Sequence, residues 1–345
     1  MKKVLGRDTR IDILRAIAII GIIIAHSEPN GIIIQLRNFD VVLMVLLLGT
    51  SFYLSNSNKN IYYPTYLIKR FKRLIVPTWI FLTIFFVLFY LISLAVKTSY
   101  YFIIQDIVKS YTMINGIGYV WIMSVFFLIA LISPLLLKLN LKVKSNNYYF
   151  IVLFLIYIVY VFLQLMNESL NGPIRVLFEH FVLYGIGYGL IAAFGMRLKF
   201  LSSKEIYLWI VIFLTIFLSF MSYYNFSPTQ NYKYPPQLYY ISYGMFVSLL
   251  LYVTLNIKLV HTLFNNKFIM FIAQHSIWLY FWHIIFIYLL KFFGENLSLV
   301  ANNFITRFGF IFFCALFITY IHNLMKKKLF NSSENIKGLR KVVIK

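Results

Sequence analysis

The chain has a single cysteine, Cys314, in 345 residues, and only 10 acidic side chains against 32 Lys and Arg. One cysteine excludes a disulfide framework and a cysteine-based metal cluster. Charged residues make up 12% of the chain and hydrophobic ones 61%. That is about half the charge of a soluble domain, which argues against any separate soluble domain. Also missing are a G-x-S-x-G elbow, an H-E-x-x-H helix, a Walker loop and a dinucleotide-binding fingerprint. The hydrolase, metalloprotease, nucleotide-hydrolase and Rossmann chemistries that use those motifs therefore have no support here. No Cys/His cluster proposes a metal, and no fixed-period repeat or low-complexity tract is visible.

What is present is a series of apolar runs, each long enough to cross a hydrocarbon core of about 30 Å. Ten spans are expected, near residues 11–27, 39–55, 74–96, 119–138, 148–166, 174–195, 206–224, 238–257, 268–290 and 302–325. They must be helices, because lipid offers no partner to open backbone groups and the runs are too long for barrel strands. The fold class expected is all-α: a polytopic transmembrane bundle, with residues 1–325 as one membrane domain and 326–345 as a basic tail. The first span keeps Asp12 and Arg15 and lacks a small-residue cleavage site, so it reads as a retained span and not a signal peptide.

Lys and Arg set the orientation. Loops on one side hold 24 of them, loops on the other hold 7, and Arg15 lies inside a span. Both termini are therefore expected on the cytoplasmic side. The net charge of +22 sits in short loops beside the expected membrane, which suits anionic lipid headgroups and not nucleic acid.

Arg15 and His26 share the first span with ten residues between them. Eleven steps of about 100° bring both to one helix face within roughly 20°, about 16 Å apart along the axis. A guanidinium inside a span costs about 2.5–3.5 kcal/mol or more, so it is a functional candidate by default. His26 titrates near neutrality and can take a proton from a hydroxyl. Glu28 is a candidate to orient it, although i,i+2 spacing needs the chain to break at Pro29. Asp12 is a natural i,i+3 partner for Arg15. In KRFKRLIVP, Arg70 and Arg73 share a helix face and Lys69 and Lys72 extend the charge. Paired guanidiniums suit phosphate. The competing reading is a positive-inside anchor, with Pro77 starting or kinking the span.

Weaker candidates lie toward the far side. Glu179 and His180 are neighbours, so they point about 100° apart and form no ready dyad. His283 follows SIWLYFW, where a hydrogen-bonded core histidine is the commoner explanation. Trp121, Tyr239 and Tyr240, with Tyr232 and Tyr234, could stack on sugar rings, although aromatic belts account for most such residues.

DILRAIAIIGIIIAH resembles the first span of the acyltransferase family 3 membrane proteins, with Arg, ten residues, then His. KRFKRLIVP resembles their Arg-x-x-Arg turn, FDVVLMVLLLGTSFYLS their second span, YVWIMSVFFLIALISPLL their Trp-bearing fourth span and HSIWLYFWHI a late aromatic span. The resemblance covers most of the chain in order. It implies ten spans in the plasma membrane of a bacterium and transfer of an acyl group, usually acetyl, from cytoplasmic acyl-CoA to a hydroxyl of an envelope glycan. His26 then matches the catalytic histidine, Arg15 the arginine of its motif, and Arg70 and Arg73 the donor-binding pair. Acyl-CoA is a co-substrate, and no cofactor is permanently bound. Leu48-Gly49 stands where the family often has Ser-Gly, so a role for that serine is in doubt. Lacking the extra hydrolase-like domain of many members, the chain would transfer directly or pass its product to a separate extracytoplasmic protein. The acceptor could be a surface glycan or a lipid-linked sugar. On the residues alone, a transporter or exporter of a glycan or lipid-linked sugar is the alternative.

Overall fold

A computed structural model describes residues 8–114, 116–117 and 119–343, with side chains as far as residue 328. Lys2, Lys3 and Arg7 of the basic N-terminus, and the side chains of the last basic residues, lie outside this range. The described chain is helical throughout, with no strand. In order the helices are α1 (Thr9–Ala25), α2 (Gly31–Arg37), α3 (Asp40–Asn56), α4 (Tyr63–Val96), α5 (Ile104–Thr112), α6 (Trp121–Lys142), α7 (Asn146–Glu168) and α8 (Gly172–Leu177). A π-helical turn, Phe178–Leu183, leads into α9 (Tyr184–Arg197). There follow α10 (Ser203–Tyr223), α11 (Leu238–Thr254), α12 (Lys258–Phe264), α13 (Lys267–Gln274), α14 (Ser276–Phe293), α15 (Ser298–Ala301) and α16 (Phe304–Val343).

Among the described residues, eight helices are long and apolar enough to cross a membrane, or nine if α11 and α12, bent by 99°, form one span. The tenth expected span is α1. Its 17 residues reach about 26 Å, just short of a typical core. Two expected spans differ in detail. The run at 268–290 is broken at His275 between α13 and α14. Pro77 does not start its helix: α4 begins at Tyr63 with Pro64 in its first turn and carries Pro77 inside. Pro64 fits there because a first-turn N–H has no partner to lose. Pro77 leaves the carbonyl of Arg73 without its helical donor.

α1 sits in the middle of the bundle, packed against α3, α13, α14 and α16. Asp8 caps its start by accepting from the Arg10 backbone N–H at 3.2 Å. The Asp8 carboxylate also pairs with the Arg10 side chain and with Lys199. Burial alone would raise its pKa, but the hydrogen bonds and charges of Arg10 and Lys199 outweigh burial and hold it at about 2. The far end stops at His26, followed by Glu28 in the left-handed region (φ 53°) and by Pro29, which cannot continue a helix.

α3 and α9 approach so closely that a Cβ on Gly49 would lie 1.9 Å from the Ala192 carbonyl oxygen, and one on Gly195 2.1 Å from that of Leu46. Between them the Thr50 hydroxyl donates to the Gly195 carbonyl at 2.9 Å. Small residues at a helix crossing are how apolar helices gain contact in lipid. Gly49→Ala is expected to lower the unfolding temperature of the purified protein, through overpacking of roughly 1–3 kcal/mol. An unchanged temperature in a detergent melt would refute this close crossing.

Candidate active site

Two neighbouring spaces lie in the bundle beside α1 and share part of their walls. The larger, about 640 Å³, is lined by Asp8, Asp12 and Arg15 of α1, Ser51 of α3, Arg70 and Arg73 of α4, and apolar residues as far as Ile22, Ile122 and Tyr280. The smaller, about 30 Å³, is lined by the same Ile22, Ile122 and Tyr280, and by His26, Arg37, Asp40, Trp121, Lys233 and Tyr234. Those three shared residues stand between the two spaces, a common wall called the neck below. The arginines expected to bind phosphate line one of these adjoining spaces and the histidine expected to do chemistry lines the other.

At the basic end, the Arg70 guanidinium lies over the rings of Tyr66 (5.0 Å) and Phe52 (5.8 Å). Those rings fix a side chain that would otherwise sample many rotamers. Lys69 and Lys72 are exposed and do not line the cavity. Further in, Arg15 pairs with Asp12 at 3.0 Å and donates to the Ser51 hydroxyl at 3.2 Å. Leu48-Gly49 places no hydroxyl at those two positions, and Ser51, one residue past Thr50, is the serine that meets Arg15.

At the other end, His26 Nδ1 lies 2.9 Å from His283 Nε2, with the rings stacked at 5.2 Å. Tyr119 packs edge-on to His26 at 4.5 Å. His283 is fully buried, and its Nδ1 meets the Tyr280 carbonyl. A carbonyl only accepts, so His283 Nδ1 carries the proton. In a neutral ring its Nε2 must then accept, which leaves His26 Nδ1 as the donor. His26 Nε2 is therefore the nitrogen with the lone pair, the form a general base needs.

Glu28, expected to orient His26, is not brought to it. Its side chain is 79% exposed and pairs with Arg307. The left-handed backbone at Glu28 turns it off the face of α1, and His283 occupies the orienting position instead. Glu179 and His180 diverge as their adjacency implies: Glu179 accepts from the Tyr184 hydroxyl at 3.2 Å, and His180 lies 2.6 Å from the Ser124 hydroxyl. Neither lines either space. Trp121 does, packed edge-on to Tyr234 at 4.9 Å. Tyr240 is buried behind it, and Tyr239 donates to the Ser227 carbonyl at 2.9 Å.

Three pocket residues escaped sequence reasoning. Arg37 and Asp40 form an ion pair at 3.1 Å that is almost wholly buried, and Lys233 is 4% exposed. A signal existed for the first pair: an acid opening an apolar span, i,i+3 from a base, in a chain with 10 acids. Lys233 stood in KYPPQLYY, where the tyrosines drew the attention.

Neither the curated proteins nor the solved structures gave a match to this chain. A family model described as an acyltransferase domain matches residues 8–324. That match takes in α1, the paired arginines, the neck and His283. The chain belongs to acyltransferase family 3 and is a multi-pass membrane acyltransferase.

Proposed function

We propose that this protein moves an acyl group, acetyl in the first instance, from acyl-CoA on the basic, cytoplasmic side to a carbohydrate hydroxyl on the far side of a bacterial plasma membrane. Arg70 and Arg73 hold the CoA phosphates, with Lys69 and Lys72 adding only diffuse attraction. The pantetheine arm lies along the cavity past Arg15 and Ser51, and the thioester reaches the neck beside His26. About 16 Å of helix separates Arg15 from His26, a span suited to an extended arm.

His26 Nε2 takes the proton of the attacking hydroxyl and returns it to the departing thiolate. The same nitrogen could instead carry the acyl group for a moment, and both routes use the tautomer that His283 imposes. Arg15 is neutralised by Asp12 and sits too far down α1 to touch the reacting carbonyl, so its work is to line the donor path. Trp121 and Tyr234 flank the entrance for the acceptor, a surface glycan or lipid-linked sugar. The positive-inside excess of Lys and Arg supports this orientation.

One observation carries the reading: Ile22, Ile122 and Tyr280 are shared walls of the arginine-lined cavity and the His26 pocket. The test is to give labelled acetyl-CoA to membranes from cells with and without the protein. Label in the envelope glycan only with the protein present supports the reading. Equal labelling in both removes it.

A further inference from the structure

Charge in the outer pocket does not balance. Arg37, from the end of α2, and Lys233, from the segment before α11, are the two cations lining it. Asp40, at the start of α3, is the one carboxylate there among the described residues, and Arg37 already takes it. Among the described residues no carboxylate lies within ion-pair distance of Lys233. Its ammonium instead lies over the rings of Trp121 (5.8 Å), Tyr234 (5.5 Å) and Tyr240 (5.9 Å). The Arg37 Nε is buried and likewise has no hydrogen-bond partner. An uncompensated buried cation is costly unless something negative arrives to meet it. The space beside it, about 30 Å³, is enough for a water-sized group and so for the oxygen of a reacting carbonyl.

Resting on the acyl-transfer reading above, we propose that Lys233 is a catalytic residue whose ammonium, with Arg37 behind it, meets the oxyanion formed when the thioester carbonyl is attacked beside His26.

The step balances. The acceptor oxygen bonds to the thioester carbon while its proton passes to His26 Nε2. The carbonyl electron pair moves onto oxygen, which becomes the anion held by Lys233. Collapse reforms the C=O bond and breaks the C–S bond, and the CoA thiolate leaves with the proton from His26. If His26 itself attacks, the same anion forms at the same place. A fixed counter-charge acts where charge develops and needs no reorganisation. The rings of Trp121, Tyr234 and Tyr240 hold the ammonium before substrate arrives.

Burial lowers the Lys233 pKa; Asp40 opposes this and Arg37 adds to it, leaving the group at about 8. The groups facing it are His26 from α1, Arg37 and Asp40, Trp121 from α6, Tyr234, Tyr240 from α11 and Tyr280 from α14. Lys233 is charged below about 8 and loses its proton above, so a reaction needing that charge declines as pH rises past this value.

The test uses permeabilised membranes carrying the full chain, labelled acetyl-CoA, and the membranes' own envelope glycan as acceptor. Lys233→Met is expected to cut the maximal rate about 100-fold or more, with the KM for acetyl-CoA unchanged. Lys233→Arg is expected to keep a substantial rate and carry its alkaline limb well above pH 8. A merely structural cation–π tether would leave that limb in place. If Lys233→Met fails to accumulate, the alkaline limb of Lys233→Arg decides alone. A wild-type rate in Lys233→Met, or an unmoved limb in Lys233→Arg, overturns the proposal. His26→Ala, run beside them, separates the two failures: an inert His26→Ala with a normal Lys233→Met refutes only the Lys233 role, whereas an active His26→Ala refutes the underlying reading.

Discussion

His26→Ala is expected to lower acyl transfer by about 10²- to 10⁴-fold, which is about 3–5 kcal/mol of barrier, with the amount of protein in the membrane unchanged. Folding should survive because His26 closes α1 as a cap whose helical bonds are made by its backbone N–H, to Ile22 and Ile23. Alanine keeps that N–H. The loss falls on the side chain, the one imidazole among the described residues that lines either space. In the proposed mechanism His283 acts through His26, whose Nδ1 it meets. His283→Leu removes the acceptor for the His26 Nδ1–H and frees the ring to adopt the wrong tautomer. A fall of about 10-fold or more in kcat is expected, with KM for the donor unchanged. Rate and KM measurements on equal amounts of each variant check both. Acyl transfer retained in His26→Ala would remove the histidine from the chemistry.

Arg70→Ala combined with Arg73→Ala is expected to raise the KM for acyl-CoA by about 100-fold or more, with kcat at saturation retained. Each lost charge-assisted hydrogen bond is worth roughly 1.5–3 kcal/mol, and binding felt equally in ground and transition states appears in KM alone. The geometry separates this from anchoring. Arg70 and Arg73 line the cavity, whereas Lys69 and Lys72 face outward on the same turns. An anchor role predicts similar damage from either pair. A donor role predicts that Lys69→Ala with Lys72→Ala changes KM only a few-fold, and that added salt weakens donor binding. An unchanged KM in the arginine pair, with reduced insertion, would make them anchors.

The spans were legible because lipid leaves no choice but helix, and apolar length carries that signal directly. What sequence could not give were breaks that depend on neighbours: the interruption at His275 and the 99° bend after α11. Arg15, Arg70, Arg73 and His26 were legible as candidates because charge or imidazole at such positions is costly enough to demand a reason, and the fold sets all four on the walls of the two spaces. Glu28 misled because closeness along the chain is not closeness in space once the backbone turns left-handed. His283 lies 257 residues from the ring it touches, and no local pattern could rank it above an ordinary core histidine. Lys233 was hidden for a similar reason. In the chain it reads as one loop lysine, and only the fold closes aromatic rings over it and places His26 in the same pocket.

The sidedness of donor use tests the central claim most directly. Sealed vesicles of known orientation receive labelled acetyl-CoA on one face only, with the glycan acceptor on the other. The account predicts label on the far-side glycan when the donor is on the Arg70 and Arg73 face, and none when it is on the His26 face. Equal labelling from either face, or labelling only from the His26 face, would contradict a donor path through the bundle.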